Sequence, residues 1–276
     1  MPATSDDRGG LARFLRRLLA LPAEADLDVD DPGTTARRRV ILRNKPFLLK
    51  LYREWYASIA AQVGEGECGV LELGSGAGFL KDIVRDARTS EVFWISGADL
   101  VCDARSLPVR DDSLRALVLV DVAHHVAAPR DFLREASRAL RPGGRIVMIE
   151  PWVTPWSRFV YTCFHHEPFR PEAETWEFAT TGPLSGANGA LPWIIFERDR
   201  AVFEREHPAL RIASIEPMMP FRYLLSGGVS MRALVPSWSF PLFRALEQCL
   251  APLISRLAMF ALIVVERRRL PEKLQE

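Results

Sequence analysis

The chain has 276 residues and nearly balanced charge, 36 basic against 35 acidic side chains for a formal net charge of +1, with 48% hydrophobic and 26% charged residues. That length accommodates one large domain or two small ones, and the composition excludes a disordered or collagen-like chain. A general nucleic-acid binder, which needs a basic surface to displace counterions, is excluded as well.

Residues 1–45 read as an N-terminal tail. Leu11, Phe14, Leu15, Leu18 and Leu19 recur at helical spacing beside Arg13, Arg16 and Arg17. Such a stripe packs on its own domain more often than it lies on an anionic membrane surface, so membrane contact through 11–19 is not favoured. The acidic run from Glu24 to Asp31 and the basic run Arg37, Arg38, Arg39, Arg43 and Lys45 read as solvated linker faces. The start is polar and acidic, unlike a secretory signal. The most apolar stretch, Cys249–Val265, is interrupted by Pro252, Ser255 and Arg256, so a cytoplasmic protein is expected. Cys68, Cys102, Cys163 and Cys249 form no C-x-x-C pair, and neither a disulfide framework nor a metal site is expected from them.

From Pro46, suited to a first helical position, Phe47, Leu51, Trp55 and Ile59 fall four apart until Gly64 stops the helix. Val70–Leu73 reads as a short strand, followed by a glycine turn and a helix over about 77–86. Short strands follow near 88–92 and 98–102. Arg115–Asp121 contains the apolar run of a buried parallel strand. Pro129 opens a helix with Phe132, Leu133, Ala136 and Leu140 on its buried side; Pro142-Gly143-Gly144 ends it, and Arg145–Ile149 is the next strand. This alternation predicts an α/β, doubly wound parallel sheet. Residues 151–200 break the rhythm and hold 10 of the 26 aromatics. They read as an insertion over the sheet, either a loop region fastened by aromatic side chains or a lid over a substrate cavity. A strand near 210–216, a helix over about 239–255 and a strand at 257–266 follow.

The glycine turn is Glu72-Leu73-Gly74-Ser75-Gly76-Ala77-Gly78. Glycines between a strand and a helix let the backbone approach a ligand closely. A dinucleotide fingerprint would need a glycine at 79, where Phe79 stands, and no Tyr-x-x-x-Lys is evident, so a nicotinamide oxidoreductase is disfavoured. The acid two residues before the first glycine suits a ligand bearing an ammonium group.

With Asp103-Ala104-Arg105-Ser106-Leu107-Pro108, Asp121-Val122-Ala123-His124-His125 and Leu140-Arg141-Pro142-Gly143-Gly144-Arg145 following in order, the chain resembles the class I S-adenosylmethionine-dependent methyltransferases over about 40–267. The resemblance implies a Rossmann-like seven-stranded sheet, mostly parallel with an antiparallel last strand. It implies a methyltransferase domain over 46–267, with 151–205 as the substrate-side insertion and 268–276 as a C-terminal tail. It also implies S-adenosyl-L-methionine as cofactor. Gly74, Ser75, Gly76 and Gly78 would line its methionine portion and Glu72 would hold its amino group. Asp103, with Ala104 beside it, would meet the adenine, and Asp121 would also lie on the cofactor's side. The ribose acid departs from the family pattern, whose usual spacing falls between Glu91 and Asp99. Glu91 is preferred because it closely follows the first helix.

Four of the five histidines come as His124-His125 and His165-His166. Both doublets start from the carboxyl edge of the sheet, where ligands bind. His124 suits a structural hydrogen bond, and His125 is balanced between that and catalysis. His165, His166 and the adjacent Glu167 are the better candidates for meeting substrate. A histidine there would take a proton from a hydroxyl or a phenol or quinol ring. The aromatic insertion suggests an apolar or aromatic small-molecule acceptor. The competing reading is a methyltransferase-like binding module without catalysis, acting through a partner; oligomeric state stays open.

Overall fold

A computed structural model of the chain describes residues 30–165 and 167–269. Its centre is a seven-stranded sheet of order β3-β2-β1-β4-β5-β7-β6, formed by β1 Gly69–Leu73, β2 Ala87–Glu91, β3 Leu100–Val101, β4 Leu114–Val120, β5 Leu140–Pro151, β6 Leu210–Met218 and β7 Phe260–Arg267. Strands β1 to β5 pair in parallel, while β7 runs antiparallel to both β5 and β6. The expected Rossmann-like α/β sheet is therefore present, with its antiparallel strand inserted between β5 and β6.

The apolar run of β4 is buried on both faces, as a central parallel strand requires. Leu117 and Leu119 face one core layer with Phe132, Leu133, Ala136 and Ile194; Ala116 and Val118 face the other with Leu51, Trp55 and Ile59. Each of the leucine, isoleucine, valine and phenylalanine side chains among them contributes on the order of 1.5–3 kcal/mol by leaving water. The second layer is supplied by α2, Pro46–Val63, which starts with proline in its first turn and stops where Gly64 takes a φ of 67°. Helix α3, Pro129–Ala139, buries its Phe132, Leu133, Ala136 stripe against the first layer.

Four expectations need correction. Residues 77–86 are not a helix: only one tight turn forms, over Leu80–Asp82, because the chain enters β2 at Ala87 and leaves no room for more. Pro142-Gly143-Gly144 does not separate α3 from its strand. Strand β5 begins at Leu140, and Gly143, at φ 79°, lies where the pairing with β4 shifts register. The long helix expected over 239–255 stops at Cys249 and continues only as short turns around Pro252, which lacks an N–H. Finally, the basic run is not a solvated linker. Residues Pro32–Asn44 form helix α1, capped by the Asp31 side chain on the Gly33 N–H. Arg39 on α1 donates to the carbonyls of Ser96 and Gly76 at 2.7 and 3.0 Å. The amphipathic stripe 11–19 lies outside the described residues.

The aromatic insertion is anchored and also cavity-facing. Helix α4, Pro155–Phe164, is closed by a reciprocal Thr154–Ser157 capping box. Trp152, Trp176, Leu191, Ile195 and Phe203 are buried in the first core layer, which leaves Thr180, Pro183 and Leu184 to line a cavity. No helix among the described residues is long and apolar enough to cross a membrane.

On the opposite layer Glu247 accepts from the backbone N–H groups of Phe221 and Arg222 and from the Arg222 guanidinium. Arg222 also reaches Glu54 at 2.6 Å. Both Arg222 and Glu247 are buried, so removing Glu247 leaves two backbone N–H groups unmatched and Arg222 with Glu54 alone. Glu247→Ala is expected to cost about 3–5 kcal/mol of stability in urea unfolding, and Glu247→Gln, which keeps an acceptor for the two amides, distinctly less.

Candidate active site

The turn after β1 is built by the strand pairing beneath it. Glu72 pairs with Thr89 on β2 and Val118 on β4. The Ser75 N–H donates to the Ser90 carbonyl and the Ser90 hydroxyl to the Glu72 carbonyl. The glycines serve different ends. A Cβ on Gly78 would sit 2.0 Å from the Tyr56 hydroxyl and 2.8 Å from the Ser75 carbonyl, so packing alone demands glycine there. A Cβ on Gly76, at φ 48°, would meet nothing nearer than 3.7 Å and would project into a cavity.

That cavity is walled by Glu72, Gly74, Ser75, Gly76, Gly78, Glu91, Asp121 and His125, with Thr35 and Arg38 from α1 and Tyr52 and Tyr56 from α2. A second cavity shares Gly74, Glu91, Val122, His125 and Leu184 with it and adds Cys102, Asp103, Ala104 and Arg105. The expected cofactor residues are thus gathered along one continuous cleft at the carboxyl edge of the sheet. Asp99 is not among them: its carboxylate binds Lys81 at 2.8 Å and the Thr89 N–H at 2.8 Å. Glu91 instead receives the Gly76 N–H at 2.6 Å. Its early arrival after Gly78 follows from the missing helix, since one turn replaces it. The Asp103 carboxylate is paired with Arg105 on the cavity wall.

Glu72 is 1% exposed. Its Oε1 accepts from the Tyr56 hydroxyl at 3.3 Å, and its Oε2 is buried with no hydrogen-bond partner. Burial pushes its carboxyl up to about 8. An unmatched buried carboxylate oxygen on a cavity wall is the complement of an ammonium group.

Beyond Asp121 the cleft changes character. Asp121 adopts φ 60° at the end of β4 and lines both this cleft and a smaller cavity formed by Tyr161, His165, Glu167, Phe169, Tyr223 and Phe260. Burial raises its carboxyl to about 7, partly offset by His124. An adjoining apolar cavity is lined by Val160, Phe164, His165, Leu224, Met231 and Met259. His124 is completely enclosed, with Nδ1 at 2.8 Å from Glu150 and Nε2 at 3.4 Å from Glu167. Burial drives His125 down to about 4, helped by His124. Glu167, despite its burial, is held well below the usual carboxylate range by His124, His125 and His165 around it. His166 lies outside the described residues.

Sequence reasoning missed Tyr52, Tyr56, Arg38, Arg39 and Glu150. The tyrosines are four apart on α2 and merge into its apolar stripe. The signal for Glu150 was a single acid closing an otherwise apolar strand.

Residues 71–148 match the family model described as Methyltransferase domain. An uncharacterized 37.1 kDa protein in transposon TN4556 of Streptomyces fradiae is 49% identical over 49 residues, 18% of this chain. The match spans only 14% of that relative's length. Geranyl diphosphate C-methyltransferase from Streptomyces coelicolor A3(2), solved with Mg2+, geranyl diphosphate and S-adenosyl-L-homocysteine, is 15% identical with a TM-score of 0.47, covering 96% of this chain and 100% of that one. An S-adenosylmethionine-dependent methyltransferase from Methanosarcina mazei is 12% identical with a TM-score of 0.44, covering 76% and 97%.

Two outcomes test the cleft. Gly76→Val is expected to lower S-adenosylhomocysteine affinity in calorimetry by at least about a hundredfold, while the strained φ costs only about 1–3 kcal/mol of stability. Because an ammonium binds the ionised form of Glu72, whose carboxyl is raised to about 8, affinity is expected to rise with pH from about 6 to about 8 and to level off only above that. Glu72→Gln flattens that slope.

Proposed function

We propose that this chain, whose residues 71–148 match the Methyltransferase domain model, is a class I S-adenosylmethionine-dependent methyltransferase that methylates an oxygen or carbon of an apolar or aromatic small molecule. The observation that carries the reading is the unmatched Glu72 oxygen in a cleft that runs past Asp121 into apolar cavities.

When bound, S-adenosylmethionine supplies a methyl group already activated by its sulfonium. Glu72 and Tyr56 hold the ammonium end, Glu91 the ribose, and Asp103 and Ala104 the adenine edge. The open face over Gly76 accepts the methionine portion. The protein's remaining task is to align an acceptor and exclude water, an effect that reaches about 7–11 kcal/mol in favourable cases.

Asp121 is the best-suited proton acceptor. It stands between the cofactor cleft and the smaller cavity, and its carboxyl at about 7 is poised for transfer at neutral pH. His125, at about 4, is neutral and a weak base, so its part is to shape the wall. His165 and Glu167 meet the acceptor from the insertion. Tyr161, Phe164, Phe169, Tyr223 and Met231 offer it an apolar bed.

Methyl transfer from labelled S-adenosylmethionine to a panel of hydroxylated aromatic and isoprenoid acceptors tests this. Asp121→Asn is expected to reduce turnover of an accepted compound by about 10²–10⁴-fold, with S-adenosylhomocysteine affinity nearly unchanged. Full turnover in that variant removes Asp121 from the role; absent cofactor binding removes the whole reading.

A further inference from the structure

The His124-His125 doublet is held in a way that proton transfer alone does not require. Both residues sit in a single tight turn, Ala123–His125, immediately after β4, with ring centroids 4.3 Å apart. Each presents its Nδ1 to an oxygen that fixes the ring. For His124 this is Glu150 Oε2 at 2.8 Å. For His125 it is the Gly186 carbonyl at 3.1 Å, which only accepts, so Nδ1 carries the proton and Nε2 keeps its lone pair. Glu150 is itself anchored: it is 0% exposed, and its Oε1 receives the N–H groups of Val122 and Ala123 at 2.9 and 2.7 Å.

The two Nε2 atoms therefore point the same way, towards Glu167. They stand 3.4 and 3.8 Å from its carboxylate oxygens, and all three ligand atoms lie within 4.8 Å of one another. We propose that His124 Nε2, His125 Nε2 and the Glu167 carboxylate form a binding site for one divalent first-row transition-metal ion.

Imidazole donors favour zinc, iron, cobalt or nickel over magnesium and calcium, which prefer all-oxygen shells. Carboxylate–imidazole–metal chains are the usual second layer of such sites, and Glu150 on His124 Nδ1 supplies one. The Gly186 carbonyl does the same for His125. The alternative trio Asp121, His124 and Glu150 also lies close. It makes a poor site, because both Glu150 oxygens are already engaged by two amides and an imidazole. His165 is not a ligand through Nδ1, which receives the Glu167 N–H. The charge balance agrees: the Glu150 and Glu167 carboxylates lie 2.8 and 3.4 Å from the His124 ring nitrogens, and a dication would offset this concentration of carboxylates.

Three protein ligands leave coordination positions open, and Glu167 shares the small cavity with Asp121. On the methyltransferase reading, an acceptor oxygen would fill one of them, which narrows the acceptor to a hydroxylated compound.

Cobalt(II) added to chelator-treated full-length protein tests the site through its visible d–d absorption. The expected result is saturation at one ion per chain. His125→Ala and Glu167→Gln should each weaken binding by at least about a hundredfold, and Glu150→Gln, which touches no metal, by about 10–100-fold. Circular dichroism confirms that each variant is folded. No saturable binding, or the same affinity in the wild type and both ligand variants, overturns the proposal. Calorimetry with S-adenosylhomocysteine on the same samples separates the two readings. Cofactor binding without cobalt binding defeats the metal site alone, whereas cobalt binding without cofactor binding defeats the methyltransferase reading and leaves the metal site standing.

Discussion

The parallel pairing of β1 with β4 positions everything else in the site. Leu71, Glu72 and Leu73 lie beside Leu117, Val118 and Leu119, and both strands are enclosed on both faces. A slip of one residue would send each side chain to the wrong core layer, so the register is strongly specified. Held in that register, the glycine turn after Leu73 and the Asp121–His125 turn after Val120 leave the sheet side by side. Strand β5 then brings Glu150 to the same edge, where it binds the amides of the second turn.

The result is a cleft whose two ends differ in electrostatic character. At the Glu72 end a single carboxylate oxygen is buried without a partner, and its elevated pKa reflects that isolation. At the other end Glu150 and Glu167 enclose His124, and Glu167 is held acidic by its imidazole neighbours. Asp121 stands between these environments with its carboxyl near neutrality. One end suits a fixed positive charge on a ligand, the other a movable proton or a metal ion. Low dielectric around both makes each mismatch costly and each match correspondingly selective.

The parts added to the sheet close this cleft from two sides. Helix α1 fastens the glycine turn through Arg39 on the Gly76 carbonyl and supplies Thr35 and Arg38 to the wall. The insertion after β5 places Leu184 over the cleft while Trp152, Trp176 and Phe203 bury its base. Cavity wall and anchor are thus two faces of one segment: a wall that must hold its position needs apolar mass on the side away from the cavity.

The order of the seven strands, the glycine turn, Glu72 before it and the His doublet after β4 were all legible in the sequence. Each is written in a few neighbouring residues whose conformational demands are local. The length of the helix after Gly78 was not, because it depends on where β2 must begin to pair with β1. Nor could spacing decide between Glu91 and Asp99; Lys81 and Thr89 draw Asp99 aside. The basic run before Pro46 read as solvated because charge pattern alone carries no information about the Ser96 and Gly76 carbonyls that Arg39 meets. The arrangement around His124 and His125 draws on Glu150, Glu167 and Gly186, which are 26 to 61 residues away for the two Nδ1 contacts alone. Local pattern names the residue types a site has available. Only the folded chain, by removing water and bringing distant groups within hydrogen-bond reach, decides their protonation and their partners.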